Sequence, residues 1–315
     1  MSRYVAGRLA QGVILLVLVS MAIFTIIHKT PGGPALLNNP DIDPAVAQEY
    51  RQALGLNDPI PVQYARWLRN VLRGNLGKSY QHGMPTARLI ADRIPNTALL
   101  SGTALLLSVA LAVPLGVVSS VYRHSAVDYA ATITAFFGVS IPIFWLGIML
   151  IIVFSVGLGW LPSAGMVTVG VSFSVGDLLR HLIMPAVVLS TFPLAQLTRY
   201  TRSSMVEVLG QDYIRTARSK GLAEILVLSR HALRNALIPV VTVLGVLIPR
   251  LLSGAVITEA IFAWPGLGRL AVDSAVQRDY PVIMGVTLLV SGMVIISTLI
   301  TDLAYVALDP RIALR

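Results

Sequence analysis

The sequence lacks cysteine and has few histidines, and both absences limit the chemistry that it can perform. Without cysteine it can form no disulfide, thiolate metal site or cysteine nucleophile. Its five histidines are dispersed along the chain, and neither a His-Glu-x-x-His helix nor a Gly-x-Ser-x-Gly elbow is present. We therefore expect a chain that is not an enzyme by itself.

Charge is scarce as well. Only 12% of the 315 residues are charged, whereas 55% are hydrophobic, and the mean hydropathy of +0.75 excludes an ordinary water-soluble domain. The net charge of +9 comes from basic residues between long apolar blocks, where anionic lipid headgroups are the expected counter-charge. A lipid bilayer is therefore an expected partner, and nucleic acid is not.

Six apolar stretches have the length of a transmembrane helix, since about 20 residues are needed to cross a hydrocarbon core of about 30 Å. They predict an all-α polytopic membrane protein. The fourth stretch contains Ser190, Thr191 and Pro193, which indicates either a bent helix beside a polar cavity or a span packed inside a bundle. The predicted spans are residues 9–27, 97–121, 131–156, 182–197, 237–261 and 282–306.

The short loops differ in positive charge, which predicts how the chain lies in the membrane. Basic residues are concentrated on one side, and the positive-inside rule places that side in the cytoplasm. Both termini then lie inside, as six crossings require. The residues concerned are Arg3, Arg8, Arg123, the seven basic residues from Arg199 to Arg234, Arg311 and Arg315.

The spans divide the chain into four parts. Between the first two spans, helix-forming segments at 45–54 and 62–72 are separated by Pro59 and Pro61, which predicts a small helical cap. The four predicted parts are a cytoplasmic N-terminus with the first span (1–28), an extracytoplasmic helical insertion (29–94), a transmembrane core (95–306) that includes a cytoplasmic loop (199–236), and a cytoplasmic tail (307–315).

Two segments imitate nucleotide-binding motifs. Residues 74–79 look like the end of a phosphate-binding loop, but Leu72 stands where that motif needs a glycine. Gly266, Gly268 and Ala271 have the dinucleotide-binding spacing, but they follow an apolar span without a parallel-strand unit. No cofactor is therefore expected in this chain.

Three charged residues fall inside the predicted spans, namely Arg250, Glu259 and Asp302. Such residues often line a pathway or pair between helices, because an isolated charge in lipid is unfavourable. Alternatively, Glu259 and Asp302 reach the interfaces and Arg250 pairs with a neighbouring helix. So few intramembrane charges argue against an ion-coupled carrier and for energy supplied by another component.

The loop at 199–236 has the pattern of a helical corner. Apolar residues recur at steps of three to four from Val206 to Ala217, which predicts an amphipathic helix over residues 205–220. Gly221 can end that helix in the left-handed conformation, and the chain then turns into a second helix over about 223–235.

This corner resembles a known signature. Residues 212–222 (DYIRTARSKGL), followed by 231–239 (HALRNALIP), resemble the EAA-type motif of permease subunits in binding-protein-dependent ABC importers. Arg215 and Thr216 stand where that motif has its name-giving Glu and Ala, and the interval from the glycine to the proline is that of the peptide branch. The similarity extends over nearly the whole chain, through residues 54–59, 63–64, 74–79, 93–97, 262–268 and 308–311.

The resemblance is to the B-type permease of the dipeptide, oligopeptide and nickel branch, and it implies a type I permease fold with a peripheral first span. It also implies half of the translocation pathway of an ATP-driven peptide importer in the bacterial cytoplasmic membrane. The implied partners are a C-type permease, two ATP-binding subunits that hold ATP and Mg, and an extracytoplasmic solute-binding protein. Import of a nickel chelate or an oligosaccharide is the main alternative, and a secondary carrier and a membrane enzyme are the others.

The resemblance also assigns roles to individual residues. The corner would dock on an ATPase, and the segment after the fifth span, together with the outer cap, would meet the solute-binding protein. The expected docking residues are Asp212, Tyr213, Ile214, Ala217, Arg218, Gly221 and Leu222, and the expected binding-protein contacts are Trp264, Pro265 and Gly266.

Overall fold

A computed structural model describes residues 2–31, 33–34 and 43–308. This part of the chain is helical, and its only β-type pairing is an isolated bridge between Lys78 and Pro85. Seven-residue π-helical segments follow the sixth helix (Ile151–Gly157) and the ninth (Val227–Leu233). In chain order the helices are α1 (Ser2–Lys29), α2 (Pro44–Ala53), α3 (Ile60–Leu72), α4 (Thr86–Val121), α5 (Ala126–Ser140), α6 (Ile143–Leu150), α7 (Val175–Leu209), α8 (Asp212–Ser219), α9 (Glu224–Leu226), α10 (Arg234–Ile261), α11 (Leu267–Gln277) and α12 (Tyr280–Leu308).

Five of the described helical stretches are long and apolar enough to cross a bilayer, and a bent pair makes a sixth if it is one span. This result confirms an all-α membrane fold with five or six candidate spans, against the six predicted. The long stretches are Val5–Lys29, Thr86–Val121, Val175–Leu209, Glu224–Pro249 and Tyr280–Thr301, and the bent pair is Ala126–Ser140 with Ile143–Gly157.

The third span differs from its prediction. A single helix over residues 131–156 was expected, but α5 and α6 meet at an angle of 104°. Pro142 lies at the break and Ile141 before it has an extended backbone with ψ of 126°. Proline has no amide hydrogen to donate and pushes the preceding residue out of the helical region, so the prediction of a continuous helix was wrong.

The fourth span is one continuous helix, although α7 contains Pro185 and Pro193. More than half of its apolar window is buried, against 17% for the windows of α1 and α12. Ser190 donates from its hydroxyl to the Val187 carbonyl, and its own carbonyl accepts a bond from Ser108. The structure therefore favours the second interpretation, a span packed among other helices.

Two helices extend beyond the apolar stretches that predicted them. α4 begins at Thr86 rather than near residue 97, and α7 begins at Val175 rather than near residue 182. The additional turns of α4 carry Arg88, Asp92 and Arg93, whose charges are unsuited to lipid. Hydropathy identifies the part of a helix that can lie in the bilayer and misses the polar turns that continue it.

The chain forms two compact units, Met1–Ala98 with Pro265–Ile296, and Leu99–Trp264 with Ser297–Arg315. In the first unit, α2 and α3 lie within one or two residues of their predicted positions. The Gln63 side-chain amide donates to the carbonyls of Leu56 and Asp58 and so fixes the turn between the two helices. The Tyr64 hydroxyl is 2.9 Å from that of Ser20, which connects α3 to α1.

The segment that imitates a phosphate-binding loop has a structural role in the same unit. The buried Asp279 carboxylate accepts hydrogen bonds from the Ser79 hydroxyl and from the amides of Tyr80 and Gln81. Burial, together with this nearby carboxylate, raises the pKa of Tyr80 to about 12. The segment thus joins the end of the insertion to the start of α12.

Helix α7 is central to the second unit. A buried apolar cluster packs its Leu182, Ala186 and Leu189 against residues of α4 and α10. Gly116 of α4 allows α4 and α7 to approach each other closely. A Cβ built on Gly116 would lie 2.6 Å from the Thr201 Cβ and 3.0 Å from the Thr198 carbonyl oxygen, both in α7. The helices are therefore held together at short range as well as by bulky side chains.

This close approach predicts that Gly116→Ala destabilises the protein. The new methyl group overlaps backbone as well as a side chain, and overpacking of this kind lowers the free energy of unfolding by about 1–3 kcal/mol. Gly102→Ala is the matched control, because it lies in the same helix with nothing within 4 Å of the added Cβ. Thermal unfolding of the two purified variants in detergent tests this, and equal midpoints would contradict the contact.

Candidate functional site

The predicted corner is present, but it begins with a break. One helix over 205–220 was expected, whereas α7 ends at Leu209 and α8 starts at Asp212. Gln211 between them has an extended backbone. Glycine at position 210 lowers helix stability by about 1 kcal/mol relative to alanine, and an acidic residue is favourable at a new helix start. The prediction of a continuous helix was therefore wrong.

The inner face of α8 rests on the chain that follows it. Ile214 is fully inaccessible and Ala217 nearly so, and both belong to a buried cluster with Val227, Ala232 and Met205. Two of the expected docking residues are thus occupied within the chain. Their side chains support the corner, and a partner could not reach them in this structure.

The turn at Gly221 agrees with its prediction. Its φ is +75°, and its amide donates to the Arg218 carbonyl at 2.9 Å. Leu222 is half-buried and packs against the cluster beneath α8. A Cβ at position 221 would meet nothing within 4 Å, so the backbone conformation alone calls for glycine here.

Two polar contacts close the corner. The Arg218 guanidinium donates two hydrogen bonds to the Glu224 carboxylate, at 3.1 and 2.6 Å, and these bonds raise the pKa of Arg218 above its ordinary value. The Asn235 amide donates to the Tyr213 hydroxyl at 2.9 Å. Because the ion pair is about half exposed, it stabilises the corner only slightly. The ion pair ties α8 to α9, and the bond from Asn235 ties α8 to the start of α10.

The exposed residues of the corner, which we call its outer face, are both apolar and basic. Ile225 is 74% exposed and Tyr213 is 43% exposed, and the exposed Arg215 and Lys220 lie beside them in sequence. An exposed isoleucine and tyrosine with a charged rim are typical of a protein interface. Ile225 was not among the expected docking residues, although residues 225–227 are more apolar than the resemblance leads one to expect.

The expected outer contacts lie differently. Trp264 is fully buried in the apolar cluster around α7, so a contact of its indole with a partner is not compatible with this structure. Gly266 is buried at the start of α11, and only Pro265 is partly exposed. The Pro265 carbonyl accepts a bond from the Asn96 side chain at 2.8 Å. The resemblance implied recognition by Trp264, whereas its burial indicates a role in packing.

The three intramembrane charges are only partly described. Glu259 is fully buried in α10, so its side chain is enclosed by other residues of this chain. Arg250 and Asp302 lie in the helical backbones of α10 and α12, and their side chains fall outside the described residues. The predicted tail beyond Leu308, with its motif at 308–311, lies outside them too. Within residues 2–31, 33–34 and 43–308, no three His, Asp or Glu side chains are grouped as metal ligands.

A partly buried ion pair near the corner was not predicted from the sequence. Asp128 in α5 is 2% exposed, and its carboxylate accepts hydrogen bonds from the Nε and Nη2 of Arg202 in α7 at 2.6 and 2.8 Å. The two residues are 74 positions apart, so local patterns give no sign of the pair. The signal that existed was an acidic residue at the beginning of an otherwise apolar span.

The chain matches known proteins over its whole length. Residues 112–314 match the family described as the binding-protein-dependent transport system inner membrane component, and residues 1–101 match the N-terminal part of such membrane components. The oligopeptide transport system permease protein AppB of Bacillus subtilis is 46% identical over 99% of both chains. A protein of Brucella suis, provisionally named a peptide permease, is 45% identical over 99% of both chains.

A solved structure has the same fold. A chain of the MetNI methionine ABC transporter in an inward-facing conformation superimposes with a TM-score of 0.56, over 71% of this chain and 97% of that chain. The two sequences are 18% identical, so this likeness concerns the fold alone.

The two isoleucines of the corner provide a test of its construction. Ile214→Ala should lower the free energy of unfolding by about 2–5 kcal/mol, because it leaves a cavity beneath α8. Ile225→Ala, the same substitution at an exposed site, should change it by no more than about 0.5 kcal/mol. Thermal unfolding of the purified variants compares them, and a larger effect at position 225 would reverse the assignment of inner and outer faces.

Proposed function

The chain belongs to the family of inner membrane components of binding-protein-dependent transport systems, and on that premise we propose that it is the permease subunit of an ATP-driven importer of peptides. Its fold is that of a type I ABC importer permease. The observation that carries the peptide assignment is the 46% identity, over 99% of both chains, to an oligopeptide permease. The chain forms one half of the translocation pathway.

Energy for transport comes from other subunits. The segment at 74–79 is not a complete phosphate-binding loop, since Leu72 replaces the glycine that such a loop requires. Two ATP-binding subunits therefore hold ATP and Mg, a C-type permease supplies the other half of the pathway, and a solute-binding protein delivers the peptide. The role of this chain is to guide the substrate and to convert the motion of the ATPases into a motion of helices.

The corner is the element that receives this motion. Its exposed face offers Tyr213 and Ile225 as an apolar contact, with Arg215 and Lys220 as a basic rim. Its inner face is packed through Ile214 and its neighbours onto the ends of α7 and α10. A displacement of α8 therefore moves both long helices, which is a rigid-body transition driven from one end.

The same role determines the orientation. The corner has to face the compartment that contains ATP, so the loop at 199–236 lies in the cytoplasm. The seven basic residues from Arg199 to Arg234 support this placement. With six crossings of the bacterial inner membrane, both termini are cytoplasmic, and the insertion with α2 and α3 faces the solute-binding protein.

Gly221 gives a test of transmission at the corner. Gly221→Val places a β-branched residue at φ of +75°, which strains the turn. We expect peptide uptake per hydrolysed ATP to fall about tenfold or more, in line with a strain of about 1–3 kcal/mol acting on the turn. The measurement is uptake and ATP hydrolysis by the complete complex in proteoliposomes.

Gly221→Asn is the matched control for this experiment. Asparagine is a comparably bulky residue that tolerates the left-handed conformation, and the space around the site is open. It should preserve most of the uptake. Equal losses for valine and asparagine would indicate that bulk, rather than backbone strain, disturbs the site, and normal uptake with valine would remove the corner from the mechanism.

Cross-linking tests the docking itself, and the absence of native cysteines makes single-cysteine variants specific. Tyr213→Cys should form a cross-link to an ATP-binding subunit in membranes, because Tyr213 lies on the outer face of α8. Phe173→Cys is the control, since it is 69% exposed but lies in a loop assigned to the opposite side. A cross-link from residue 173, or none from residue 213, would refute the proposed orientation.

A further inference from the structure

The buried carboxylate of Asp128 gathers four hydrogen bonds from three parts of the chain. Besides the two from Arg202 in α7, it accepts one from the Ser119 hydroxyl in α4 at 2.6 Å and one from the His124 amide at 2.9 Å. The bidentate bond to Arg202 fixes distance and rotation together. One side chain thus connects α4, the turn after it, α5 and α7.

The connection lies close to the corner. Arg202 precedes the end of α7 at Leu209 by two helical turns, or about 10 Å along the axis. Only Gly210 and Gln211 separate that end from α8. A tilt imposed on α8 therefore reaches Arg202 through only the last two turns of α7.

The turn between α4 and α5 is held in one conformation. His124 has a φ of +63°, which residues other than glycine seldom adopt. The Asp128 carboxylate accepts the His124 amide hydrogen, and the Ser125 hydroxyl accepts a bond from the Asp128 amide at the start of α5. A turn tied in this way transmits displacement instead of absorbing it.

Helix α5 is the least covered of the helices tied together here. Phe136 is 71% exposed and Phe137 is 58% exposed, so the helix presents a large apolar face to its surroundings. Close packing against α7 continues farther along, where a Cβ on Gly138 would lie 3.2 Å from the Thr191 methyl group. Movement of α5 therefore changes a surface that this chain leaves open.

We propose that Asp128 and Arg202 are positioning residues that make α5 follow α7 when the ATPases move the corner. The Asp128 carboxylate is buried whereas the Arg202 side chain is 30% exposed, so removing Arg202 would leave a buried carboxylate without its charged partner, which is unfavourable. Such a pair resists sliding and rotation between two helices more strongly than apolar packing does. The proposal rests on the proposed function, because it assigns a step within ATP-driven import.

The test uses three variants of the complete importer in proteoliposomes. Asp128→Asn removes the negative charge, Arg202→Gln removes the positive charge, and Arg202→Lys keeps the charge but loses the bidentate geometry. We expect all three to hydrolyse ATP while the amount of peptide imported per ATP falls about tenfold or more for the first two. The amount of peptide imported per ATP by Arg202→Lys should lie between the values of these two variants and that of the unaltered protein.

Arg269→Gln is the control, since it removes an ion pair with Asp273 of 3.5 Å between exposed side chains of α11. Its ratio of import to hydrolysis should not change. A merely structural role of Asp128 would reduce the amount of assembled complex and leave this ratio unaltered. If Asp128→Asn and Arg202→Gln do not assemble, the ratio of import to hydrolysis measured for Arg202→Lys decides. Loss of assembly in all three variants would assign the pair to folding and overturn the proposal.

A second readout follows the helices directly. Spin labels on Phe137→Cys in α5 and Val187→Cys in α7, both at exposed positions, should keep a constant separation when an ATP analogue binds. With Arg202→Lys the separation should become variable. If Arg202→Lys changes neither the peptide imported per ATP nor the distance between the spin labels, the proposal is overturned. If the unaltered complex imports no peptide, the proposed function is contradicted instead.

Discussion

The packing of Ile214 and Ala217 beneath α8 is the interaction on which the rest of the structure depends. It converts a short helix of eight residues, which would be unstable alone, into a fixed corner on the ends of α7 and α10. The exposed side chains of the corner are useful only because this base holds them in place. Without it, a force on α8 would bend the loop and leave the long helices where they are.

Three carboxylates lie at junctions between elements, where their hydrogen bonds fix geometry. Asp279 binds the end of the insertion beside α12, Asp128 binds α5 to α7, and Glu224 closes the corner through Arg218. In a chain so apolar, packing supplies attraction but little directional preference. Hydrogen-bonded carboxylates supply that direction, and each does so at a junction between elements.

The sequence was sufficient to predict the features that repeat along the chain. Hydropathy located the spans, periodicity located α8, and the glycine at position 221 located the turn. Breaks within helices were harder to predict. The break at Gly210 and the sharp bend before Pro142 depend on one or two residues that oppose a helix favoured by the residues around them. Tertiary contacts could not be predicted at all. The burial of Trp264 and the pairing of Asp128 with Arg202 depend on residues far away in sequence.

The open space around Gly221 has a consequence for chirality. Nothing near this position limits the size of a side chain, whereas the sign of φ excludes most L-residues. The site therefore selects by handedness, and a D-amino acid introduced by chemical synthesis would satisfy its backbone as well as glycine does. Among genetically encoded residues, the only achiral one is the natural choice for a corner that has to remain open to a neighbour.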